Sequence, residues 1–226
     1  MLYWEPKGES DMTSARGITG ATGSSNAGGN ITRKRGDKLI ESIYDAAIEI
    51  IRSEGYGSLT FLRISRLART GRTVLYRRWA TPLDLIREIM KYRSMQALGG
   101  DLPDLIKDTG SLRGDLLYLL DLYQKIYVSV GPEIMNAMLF EMSQNNMRIP
   151  AIKNDIGFRN VEMMGKLLEF AKARGEKISP VSEKTLRLPF DLIRMSFLWE
   201  RQTMGEAERK QLVDEILLPV YTGKKL

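Results

Sequence analysis

LTFLRISRLARTGRTVLYRRW, residues 59–79, carries six arginines (Arg63, Arg66, Arg69, Arg72, Arg77 and Arg78) and no acidic side chain. Its apolar residues Leu62, Ile64, Leu67, Leu75 and Trp79 are too few to close a core, so the stretch must lean on neighbouring helices. Thr60 suits the N-cap of a first helix ending near Ala68. A tight turn over Arg69 to Gly71 leads to a second helix, from Arg72 to about Trp79. Leu75 and Trp79 lie four residues apart on one face and should pack on Ile64, Leu67 and the preceding helix. This second helix would present Arg72, Thr73, Val74, Tyr76 and Arg77 outward. A basic helix-turn-helix of this kind sets one helix in the major groove of DNA.

The charge of the whole chain agrees with that assignment once it is divided. Of the net +6, residues 1–36 contribute +2 (5 basic, 3 acidic), residues 37–97 contribute +4 (11 and 7), and residues 98–226 contribute none (18 and 18). A basic module on a neutral body points to a polyanionic partner for the module alone. The chain has no cysteine and no histidine. That removes disulfide frameworks, thiolate metal sites, most zinc sites and Ser-His or Cys-His catalysis. No metal or cofactor is expected, and no convergent acid–base cluster suggests an enzyme. No apolar run approaches the roughly 20 residues that span a bilayer, and the N-terminus lacks a secretory signal's apolar core. A cytoplasmic protein without a membrane partner is expected.

Residues 1–36 read as a disordered basic arm dominated by Gly, Ser, Thr and Asn. GITGATG, residues 17–23, looks like a dinucleotide-binding loop but has neither the strand before it nor the helix after it. Arg33, Lys34 and Arg35 could reach DNA phosphates or the minor groove. From Asp37 an apolar stripe (Leu39, Ile40, Ile43, Ala46, Ala47, Ile50, Ile51) predicts a helix closed by Gly55, with Tyr56 packing back. Thr81-Pro82-Leu83-Asp84 supplies an N-cap, a first-turn proline and an acid three residues on, opening a helix to about Leu98. Further helices are predicted over about 112–130, 133–145, 150–174, 181–203 and 206–221, with no strand. The fold class is all-α: a DNA-binding module over 37–97 and a larger helical domain over 98–226.

Gly55-Tyr56, Thr60, Ile64-Ser65, Ala68, Val74-Leu75-Tyr76, Trp79 and Leu85 stand in unbroken register with the DNA-binding domain of TetR-family transcriptional regulators, which this segment resembles. Asp108-Thr109-Gly110-Ser111-Leu112-Arg113 is similar to one of the family's C-terminal domains. Three residues depart from the family pattern. Arg69 stands where glycine is usual in the turn, and a left-handed arginine costs about 1 kcal/mol; Gly71 offers an alternative pivot. Pro82 replaces a lysine that commonly contacts phosphate, a loss the arm at Arg33 to Arg35 could offset. Phe61 stands where polar residues are frequent.

The resemblance implies a phosphate contact through the Tyr76 hydroxyl and a homodimer joined by the last two helices. Candidates for that interface are Leu192, Met195, Ser196, Trp199, Leu212, Ile216 and Leu217. Arg72 and Arg77 suit bidentate guanine readout, Thr73 or Val74 a thymine methyl, and Thr60, Arg63 and Arg78 the backbone. A body rich in aromatic and methionine side chains suggests a pocket for a small apolar or aromatic effector, lined by Tyr123, Tyr127, Met138, Met142, Phe158, Met163, Phe190 and Phe197. The expected function is a regulator, more readily a repressor, that binds a palindromic operator as a homodimer and is released by the effector. The alternative is an effector-independent architectural or division-associated protein on the same scaffold. A cavity in the body favours the first, a solid core the second.

Overall fold

The computed structural model describes the backbone of residues 27–143 and 149–223, and side chains over 36–141, 143 and 159–223. Residues up to Lys38 form one unit and those from Leu39 a second, compact one. The first described element is α1, Ala27–Glu54. It starts ten residues before the expected Asp37, so the disordered reading of 1–36 is corrected over 27–36. Once the downstream stripe has nucleated a helix, each added residue gains a hydrogen bond for little further ordering. That stripe is buried as expected: Ile43, Ala46, Ala47, Ile50 and Ile51 all face the core. α1 closes at Gly55, whose φ of 82° lies where other residues are strained.

A single 3₁₀ turn, Tyr56–Ser58, leads to α2, Phe61–Leu67, and α3, Arg72–Arg78. α4, Pro82–Leu98, opens with the predicted capping box: Thr81 Oγ1 accepts from Asp84 N at 3.2 Å and Asp84 Oδ2 from Thr81 N at 2.9 Å. Leu85, Ile86 and Ile89 of α4 are wholly buried and join the reading head to the body. Truncating any of them to alanine should cost about 2–5 kcal/mol. One hydrophobic core therefore runs from α1 through the body, with no gap in packing at residue 97.

In the body a short α5, Leu102–Leu105, which the sequence pattern did not reveal, precedes α6, Leu112–Val130. Around α6 lie α7 (Pro132–Ser143), α8 (Ile149–Ala173) and α9 (Glu183–Glu200). The turn into α6 is drawn together by Arg174, beyond the end of α8. Its guanidinium donates to Asp115 at 2.7 Å and to Glu176 at 2.8 Å, and it also pairs with Asp108. Asp115 in turn accepts from the N–H and hydroxyl of Thr109, each at 2.7 Å. A Cβ on Gly114 would fall 2.4 Å from Thr109 Oγ1, so this close approach requires glycine.

The last segment is α10 (Glu206–Gln211), a π-helical turn over Leu212–Leu217, and α11 (Leu218–Thr222). Pro219, in the first turn of α11, has no N–H to give the preceding turn and its ring crowds the carbonyl four residues back; widening to a π turn relieves both. Arg113 holds this turn through a bidentate pair with Asp214 at 2.7 and 2.8 Å. Pro189 inside α9 likewise leaves the Thr185 carbonyl without its helical donor, and the buried Tyr221 hydroxyl of α11 supplies one at 2.8 Å. This bond stitches α9 to α11. Among the described residues no helix is long and apolar enough to cross a membrane.

Candidate nucleic-acid interface and cavity

The basic stretch folds as two short helices set almost as its spacing predicts. Thr60 caps α2, its hydroxyl oxygen accepting from Arg63 N at 3.3 Å. The turn does not re-form around Gly71, which has an extended φ of −80° and serves as the N-cap of α3. Arg69 itself takes the left-handed conformation, φ 51°. Thr70 N donates to Ser65 O at 2.9 Å and Arg69 N to Arg66 O at 3.3 Å, the paired bonds of a Schellman end. Those bonds satisfy the last carbonyls of α2 and hold the strain in place.

Leu75 and Trp79 are buried behind α3 as expected, on Ile64 and α1. Leu67 departs from expectation, being 51% exposed. Phe61 takes its place in the core, and its ring meets Tyr76 edge-on at 4.9 Å. An aromatic at that position thus braces Tyr76, which stays 62% exposed with its hydroxyl free to turn outward. Arg72, Thr73, Tyr76 and Arg77 share the solvent face of α3, with Val74 half-buried between them.

The six arginines divide into two groups. Arg63 pairs with Glu54, and Arg78 with Glu88 at 2.6 Å. Arg66, Arg69, Arg72 and Arg77 are exposed and make no ion pair among the described residues. Arg78 is therefore a strut between α3 and α4. Glu88 is the residue that sequence reasoning missed. Its carboxylate also accepts from the Trp79 indole at 2.8 Å and from the Tyr44 hydroxyl at 2.7 Å, joining α1, α3 and α4. Burial alone would raise its pKa, but the bonds from Arg78, Tyr44 and Trp79 outweigh burial and hold it below the usual range. The signal was present in Trp79, since a buried indole N–H needs an acceptor.

In the body a cavity of about 310 Å³ opens between α4, α6, α7 and α8. Tyr123, Met138 and Met163 line it as expected, together with Arg87, Met90, Lys91, Arg159 and Asn160. Tyr127, Phe190 and Phe197 do not. They pack as solid core toward α9, Tyr127 stacking on Phe197 at 5.5 Å and Phe190 meeting Tyr123 at 4.9 Å. Tyr127 of α6 thus meets α9, where Phe190 and Phe197 stand. Met142 and Phe158 lie outside the described side chains, as do Arg33, Lys34 and Arg35. Of the interface candidates, Met195, Trp199 and Ile216 are exposed, Trp199 by 84%, and Leu192, Ser196 and Leu212 are half-buried. Leu217 is wholly buried in the chain's own core and drops out of that set.

Residues 106–216 match the family model of the tetracyclin repressor-like C-terminal domain. The chain is 23% identical over 188 residues to the DNA-binding transcriptional repressor TetR of Mycobacteroides abscessus, covering 81% of this chain and 94% of that protein. It is 24% identical over 161 residues to the HTH-type transcriptional regulator AqdR of Rhodococcus erythropolis, covering 71% and 74%. Among solved structures it shares a fold with the Bacillus subtilis regulator FadR in complex with stearoyl-CoA, with a TM-score of 0.60 at 16% identity over 82% of this chain and 99% of that one. A tetR-family regulatory protein from Rhodococcus RHA1 gives the same TM-score of 0.60 and 16% identity, over 81% and 97%.

Proposed function

The chain belongs to the TetR family of DNA-binding transcriptional regulators and is not an enzyme, and from that premise we propose that it is a repressor that reads a near-palindromic operator as a homodimer. The observation that carries this reading is the surface of α3, where Arg72 and Arg77 are exposed and make no ion pair among the described residues while Leu75 and Trp79 anchor the helix from behind. Arg72 and Arg77 read guanine edges, Thr73 and Val74 meet thymine methyls, and Thr60, Tyr76 and Arg63 set the helix against phosphates. Arg33, Lys34 and Arg35 add phosphate contacts.

One seven-residue helix reads too few base pairs for useful specificity, and a pair one turn of DNA apart supplies the rest. The exposed apolar side chains Met195, Trp199 and Ile216, with Leu192, Ser196 and Leu212, are the surface through which the protomers join. The cavity favours an effector-released regulator over an architectural protein with a solid body. An occupant there bears on α4, which carries Glu88 and hence the back of the reading head. The structural neighbour solved with stearoyl-CoA supports an effector site on this fold.

Selection of bound DNA from a random pool with the full chain tests the reading. Enrichment of two inverted half-sites about 34–36 Å apart supports it; enrichment of single or asymmetric sites ends it. Light scattering at micromolar concentration should show a dimer that Trp199→Glu converts to monomer.

A further inference from the structure

We infer that the cavity takes an anionic amphiphile, a carboxylate carried on an apolar chain or ring; this rests on the effector reading above and names its chemistry. Three cations converge on the opening, Arg87 and Lys91 from α4 and Arg159 from α8. Arg87 and Lys91 stand four residues apart, so they share one face of α4 and reach the same edge of the mouth. Neither makes an ion pair among the described residues. The acid on the rim, Asp101, is turned to its own chain, accepting from Leu102 N at 3.0 Å to cap α5. Among the described residues the mouth is lined by Arg87, Lys91 and Arg159 and by one acid, Asp101.

The interior has the opposite character. Met138 and Met163 are buried in its wall, and their unbranched side chains adapt to apolar shapes of different outline. Asn160, only 5% exposed, accepts the Tyr123 hydroxyl on its carbonyl oxygen at 2.7 Å. Asn160 also lines the cavity. Cations at the rim and methionines below match an acid group leading an apolar body. An ammonium amphiphile would meet like charge. Arg87 also directly precedes Glu88 in α4, so an anion drawn to Arg87 and Lys91 pulls on the helix that holds Trp79, Tyr44 and Arg78.

Titration calorimetry of the full chain with decanoate, 3-phenylpropanoate, decanol and decyltrimethylammonium tests this assignment. At least one of the two carboxylates should bind at least about tenfold more tightly than decanol. The advantage should shrink with added salt and vanish in Arg87→Ala/Lys91→Ala, with Arg159→Ala as an independent second variant. Decanol binding as well as both carboxylates, or no binding by either carboxylate, overturns the inference. Operator binding measured in the same samples separates this from the release reading. Carboxylate binding without operator release leaves the ligand class standing and ends the release reading, whereas release by decanol alone does the reverse.

Discussion

Beyond the end of α8, Arg174 lies among three carboxylates, those of Asp108, Asp115 and Glu176, and is largely enclosed by them. On α3, Arg72 and Arg77 make no ion pair among the described residues and stand in solvent. The same side chain is put to two uses, and the difference follows from water. A guanidinium withdrawn from solvent has to be repaid in hydrogen bonds, so it gathers a turn around itself and becomes architecture. One left hydrated costs the fold nothing and stays free to exchange its counterions for phosphates or a base edge. Arg78 and Arg63 lie between these limits, half-exposed and paired, bracing the reading head while remaining within reach of a partner.

Substitutions at each site sharpen the contrast. The largest effect should come from Arg174→Ala, which strands the buried carboxylate of Asp115; the thermal midpoint should fall by about 10 °C. An unchanged midpoint would remove the architectural half of the comparison. Arg72→Ala and Arg77→Ala should leave the midpoint alone yet weaken operator binding about ten- to a hundredfold each, with relaxed base preference in a selection experiment. Arginines that could be removed with no change in affinity would not be reading DNA.

Between the two stands Glu88→Gln, expected to cost about 1 kcal/mol after allowance for its partial exposure, measured by urea unfolding. Its pH dependence has a definite sign. The folded-state pKa lies below the unfolded value, so the contribution is fully present above the ordinary carboxylate pKa and is lost as pH falls through the lowered one. Unfolding curves of wild type and Glu88→Gln should therefore converge as pH falls through the lowered pKa of Glu88. The smallest effect is at Arg69. Arg69→Gly relieves a left-handed arginine and should raise the midpoint by about 2–4 °C. If it also weakens operator binding, the strain is retained to point that guanidinium at DNA.

Much of this molecule follows from short-range rules that need no partner. Thr60 and the Thr81–Asp84 pair mark helix starts because their oxygens satisfy the first free N–H groups, whatever surrounds them. The register from Gly55 to Leu85 likewise marks the reading head, since its apolar spacing is that of one packed face. Sequence position is also enough to leave Arg77 on the solvent side, opposite Leu75 and Trp79, whereas Arg72 shares their side and is exposed at the first position of α3.

What needed the folded chain is everything that joins residues far apart along it. Glu88 binds Tyr44 across 44 positions, Tyr221 repairs the carbonyl that Pro189 leaves open 36 positions away, and Arg174 meets Asp115 across 59. Nor does periodicity separate Tyr123 and Met138, which line the cavity, from Tyr127 and Phe197, which fill the core; all four are buried, and only the placement of α8 and α9 around α6 tells them apart. A chain declares its local bonds residue by residue. Long-range polar partners and empty space exist only once the helices have chosen their neighbours.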